Sequence, residues 1–63
     1  MITVMNMNVL ANGKADFELK CPSDVQKPTE LNGFQIAENS LLVEVDTLKV
    51  FYYDGSIWVK AGS

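Results

Sequence analysis

Few residues in this chain could do chemistry. They are a lone Cys21, the carboxylates Glu44 and Asp46, and the aromatics Phe51, Tyr53 and Trp58 beside Asp54 and Ser56. Cys21 would need a base to become a thiolate nucleophile, and the chain has no histidine to serve as one. Glu44 and Asp46 are two apart, so on a strand they project from one face and could in principle act as an acid and base pair. A chain of 63 residues has little material for walling off a substrate cleft. The reading is therefore a solvated strand end, with Asp46 opposite Lys49, and not an enzyme. A single cysteine without a CxxC spacing excludes an internal disulfide and gives no metal motif, so neither metal nor cofactor is expected and Cys21 reads as a small structural thiol.

Charge narrows the partners. Five lysines stand against eight carboxylates, a formal net charge of −3. Aromatics on a sheet can stack on single-stranded nucleic acid, but that use needs a basic groove. Lys49 and Lys60 lie near Phe51 and Trp58, yet Glu44 and Asp46 share their face and would repel phosphate, so no nucleic acid is expected. The apolar runs are far too short to span a bilayer and Met1-Ile-Thr-Val is not the start of a signal peptide, so no membrane role is expected either.

The elements that must position these side chains are strands. Ser40 to Lys60 reads as a three-stranded meander, with Asp54-Gly55 as the turn dipeptide. Tight closure there sets Phe51 opposite Trp58, and closure around Thr47-Leu48 sets Val45 opposite Val50. One face is then Val43, Val45, Val50, Tyr52, Ile57 and Val59, a branched and aromatic surface expected to form the core. The other face carries Leu42, Phe51, Tyr53 and Trp58 among Glu44, Asp46, Lys49 and Lys60. It is too apolar to face water wholly, so either the N-terminal hairpin or a partner must cover it.

That hairpin is expected to turn through Ala11-Asn12-Gly13, with Asn12 right-handed and Gly13 in a left-handed bulge. Val9 then pairs with Ala15, Met7 with Phe17 and Met5 with Leu19. Its apolar side would be the lid on the meander. Cys21 to Gly33 holds both prolines and reads as a connector with one helical turn at Ser23 to Lys27. Phe34 and Ile36 read as a short strand plugging the core. The expectation is an all-β fold: one small antiparallel domain over 1–63, with about five to six strands. So short a chain buries only about 60% of its unfolded surface, which favours self-association into a homo-oligomer.

Part of the chain resembles a known family. Pro28-Thr29 followed by Gly33, Ile36-Ala37-Glu38-Asn39-Ser40, Val43-Glu44-Val45-Asp46-Thr47, Lys49 to Ser56 and Trp58-Val59-Lys60 are similar to a small module of bacteriophage and prophage virion-associated proteins. The resemblance covers roughly Pro28 to Lys60. In that module a turn-forming glycine commonly follows Asp-Thr, where this chain has Leu48. The resemblance implies a structural or accessory protein of a phage or prophage, acting in virion morphogenesis through protein contacts. Its place would be the virion or the bacterial host cytoplasm, and its partners other virion proteins or further copies of itself. The interface expected on this basis is Leu42, Phe51, Tyr53 and Trp58. A second reading is a carbohydrate-binding module for host attachment, in which Trp58 and Tyr53 stack on a sugar and Asp54, Ser56 or Asn39 hydrogen-bond to it. A third is a phage-encoded inhibitor of a host protein.

Overall fold

Alternating apolar and polar residues, punctuated by Asn-Gly and Asp-Gly turns, give an all-β chain. The computed structural model describes residues 1–62. Its strands are β1 (Thr3–Val9), β2 (Lys14–Cys21), β3 (Glu30–Leu31), β4 (Phe34–Ile36), β5 (Leu41–Glu44), β6 (Val50–Tyr53) and β7 (Trp58–Lys60). They form one sheet in the order β3-β4-β2-β5-β6-β7, with β1 on the other edge of β2. The sheet is mixed where a wholly antiparallel one was expected, because β2 runs parallel to both β4 and β5. The N-terminal hairpin is thus built into the sheet through β2, and does not lie across the meander as a lid.

Strand β2 splits its outer edge between two partners. Lys14 and Ala15 pair with β4, while Glu18 to Cys21 pair with β5. At the fork, the fully buried Ser40 hydroxyl accepts the Phe17 N–H at 3.0 Å and donates to the Ala37 carbonyl at 2.8 Å. A side chain thereby supplies the ladder bond that neither neighbouring strand provides, and no buried polar side-chain atom among the described residues lacks a partner.

The core lies on one face. Ala15, Phe17, Leu19 and Cys21 alternate inward along β2, and Ile36, Leu42 and Tyr53 join them from β4, β5 and β6. Phe34 and Ile36 do form a strand that feeds the core. What covers the β5–β7 part of this face is the connector after β2. Val25 packs on the cluster, the Pro28 carbonyl accepts the Trp58 Nε1–H at 2.7 Å, and Ser23 is tied to Asp46. The connector makes a turn at Pro22 to Val25, with no helix. It ends in a small hairpin of β3 and β4, whose Asn32 and Gly33 both adopt positive φ (54° and 84°), the conformation of a tight two-residue turn.

The registers differ instructively from those expected. Tyr53 pairs with Trp58, where Phe51 was expected to; Val43 pairs with Val50, where Val45 was expected to. The turn after β5 is longer than expected, and the turn after β6 is moved one residue along, with the Asp54 N–H donating to the Ile57 carbonyl. Each register therefore moves by two residues, which leaves the paired side chains on their expected faces. In β1, Val9 pairs with Ala15 and Met7 with Phe17 as expected, but a bulge at Met5 brings Val4 opposite Leu19, where Met5 was expected. The three-residue loop Ala11-Asn12-Gly13 forms as expected and Gly13 is left-handed (φ 73°), but Asn12, expected in the right-handed region, is left-handed as well (φ 65°).

Candidate functional site

The structure reverses the two faces of the meander. Leu42 is wholly buried, Tyr53 is 5% exposed, and Phe51 and Trp58 are half-buried against the same cluster. The interface expected at Leu42, Phe51, Tyr53 and Trp58 is therefore covered within the chain. The physical reason is the connector: its backbone and side chains satisfy the polar groups of that face, so the face can be dry. Lys27 places Nζ 2.6 Å from Glu44 Oε2 and 4.3 Å from the centre of the Phe51 ring, and Thr47 donates to Glu44 Oε1 at 2.6 Å. These bonds hold the Glu44 carboxyl below the usual carboxylate range. The expected solvated pair holds for only one member: Glu44 is buried, whereas Asp46 is exposed and accepts the hydroxyl and the backbone N–H of Ser23, which lower its pKa, with no bond to Lys49.

The face expected to be the core points outward. Leu41, Val45, Val50, Tyr52 and Ile57 are exposed, and Val43 and Val59 are half-buried. Cross-strand pairing arranges them in rows. Glu18, Leu41, Tyr52 and Val59 stand side by side on β2, β5, β6 and β7, and Lys20, Val43 and Val50 make the next row. Ala61 extends that second row, its N–H donating to the Val50 carbonyl at 2.8 Å. The result is an apolar patch three strands wide, bordered on β2 by one carboxylate and one ammonium. Single exposed apolar residues are ordinary, whereas a contiguous patch is a candidate contact surface.

The free edges are less suited to contact. β3 and β7 are two and three residues long. In β1 the bulge interrupts the ladder, and Asn6 Oδ1 accepts the Met7 N–H, which points away from β2. Short edges and bulges of this kind discourage strand addition.

One polar cleft of about 220 Å³ lies between Lys14, Thr29, Glu30, Gln35, Ile36, Tyr53 and Gly55. It is smaller than most ligand pockets. Of the groups proposed for sugar binding, Tyr53, Trp58 and Asp54 are engaged in the fold, while Asn39 and Ser56 are exposed. Tyr53 donates to the Ser56 carbonyl at 3.1 Å, and Trp58 donates to Pro28. Asp54 accepts the N–H groups of Ser56 and Ile57, both at 2.8 Å, with the Ile57 bond the main cause of its lowered pKa. Cys21 is buried and its thiol pKa is raised, chiefly by burial.

No family model, no curated protein and no solved structure matches the chain. The outer patch was missed as a site because its residues are strand formers that suit a core equally well. A usable signal was present, since Phe51, Tyr53 and Trp58 carry the larger apolar area, and two of them have polar tips that want fixed partners.

Proposed function

We propose that this chain is a non-enzymatic protein–protein docking module, a structural or accessory protein of a phage or prophage. One observation supports the docking role: the outer face of β5–β7 presents Leu41, Val50 and Tyr52 to solvent on adjacent strands. The resemblance of Pro28 to Lys60 to virion-associated modules supports the phage setting. Tyr52 is the natural anchor, since aromatics at the centre of a patch carry a large share of binding energy.

The test is incorporation into particles. Density-purified virions from an induced host that carries the gene should contain the chain in fixed proportion to the capsid protein. Tyr52→Glu, on an exposed position, should leave the chain folded and reduce its incorporation by roughly thirtyfold, the equivalent of about 2 kcal/mol. Particles lacking the wild-type chain, or taking up the variant equally, would overturn the proposal.

A further inference from the structure

We infer that the occupant of the outer face is a second copy of this chain, packed face to face about a two-fold axis that runs across the strands between the two side-chain rows. The inference rests on the reading of that face as a docking surface and adds the partner's identity. Its basis is charge complementarity. Glu18 heads the row Glu18, Leu41, Tyr52, Val59, and Lys20 heads the row Lys20, Val43, Val50. A two-fold axis lying in the interface, midway between the rows, exchanges one row for the other. Leu41 then meets Val43 of the second copy, Tyr52 meets Val50, and Glu18 meets Lys20, each contact occurring twice. Strands of the two sheets remain nearly aligned, as in packed β-sandwiches. An axis along the strands instead lays Glu18 and Lys20 beyond the edge of β7, without partners.

Both border residues are exposed, and neither has an ion-pair partner among the described residues of its own chain. The short or bulged edges at β1, β3 and β7 disfavour self-association by strand addition. The patch is small, so the dimer should be weak and dependent on concentration.

The experiment is sedimentation velocity on the whole chain, from about 10 µM to about 1 mM. Wild type should shift from monomer to dimer over this range. Glu18→Lys places four ammonium groups together across the axis and should weaken dimerisation about tenfold; Lys20→Glu should do the same with carboxylates. The double exchange Glu18→Lys with Lys20→Glu should restore the wild-type constant to within about threefold. The sign is informative, because Glu18→Lys also lowers the net negative charge of −3 and would strengthen association if only overall repulsion mattered. A monomer at every concentration, or a dimer indifferent to both single exchanges, overturns the inference. If the chain is monomeric while particle uptake still depends on Tyr52, the second copy is excluded and docking on another protein stands. If uptake is also indifferent, both readings fall.

Discussion

Lys27 Nζ sits 2.6 Å from Glu44 Oε2, so a side chain of the connector closes over the one carboxylate on the covered face of β5. The same ammonium lies over the Phe51 ring. With the Trp58–Pro28 bond, this contact fastens the connector over that face of the meander. A buried ion pair is weak evidence for stability by itself, since desolvation offsets much of the attraction. Its consequence here is placement: Lys27 and Pro28 lie across β5, β6 and β7, and the opposite face is left open.

Truncations should separate the faces. Leu42→Ala, at a position with no exposed surface, is expected to cost about 2–5 kcal/mol. Ile57→Ala, at a position 61% exposed, is expected to change stability by no more than about 0.5 kcal/mol. Urea denaturation of the two variants checks this, and equal losses would contradict the face assignment.

The loop between β5 and β6 stores strain that can be removed. Leu48 has φ 61°, a left-handed conformation that a leucine adopts at a cost, and its side chain is 78% exposed. Leu48→Gly should therefore stabilise the domain by about 1 kcal/mol and raise Tm by about 4–8 °C. A lower Tm would show that Leu48 makes contacts worth more than the strain.

Acid should destabilise the fold in a definite window. The carboxyls of Glu44, Asp46 and Asp54 are all held below their ordinary values, by Lys27, Ser23 and the Ile57 N–H respectively. A depressed folded-state pKa gives stability that is present above the unfolded value, about 4, and is lost as pH falls through the lower folded values. The urea midpoint should accordingly be level from about pH 7 to about pH 5 and drop below about pH 4. Glu44→Gln should show a shallower drop, and an identical pH profile would remove Glu44 from the account.

Much of the fold is legible in the sequence, and the illegible part has a physical cause. Period-two alternation assigns each of Val43, Val50, Tyr52 and Val59 to one face and Leu42, Phe51, Tyr53 and Trp58 to the other. Those assignments survive registers displaced by two residues. The first hairpin's pairing at Val9, Met7 and Asn8 follows from its turn. Leu48 takes the left-handed φ that a glycine would adopt freely. Which face is covered was not legible, because both are apolar and the cover is an irregular, proline-containing segment with no periodicity of its own. The parallel pairing of β2 with β5 joins distant residues, and the Ser40 hydroxyl beside it bonds to Phe17, a contact no local pattern announces.

Adjacent tyrosines offer the most direct measurement. Tyr52 is 39% exposed on the outer face, while Tyr53 is 5% exposed with its hydroxyl bonded to the Ser56 carbonyl. Limited nitration with tetranitromethane, mapped by peptide mass spectrometry on dilute native chain, should modify Tyr52 and spare Tyr53 until the protein is unfolded. Modification of Tyr53 ahead of Tyr52 would contradict the account, because it would place the aromatic face in solvent and the aliphatic face in the core.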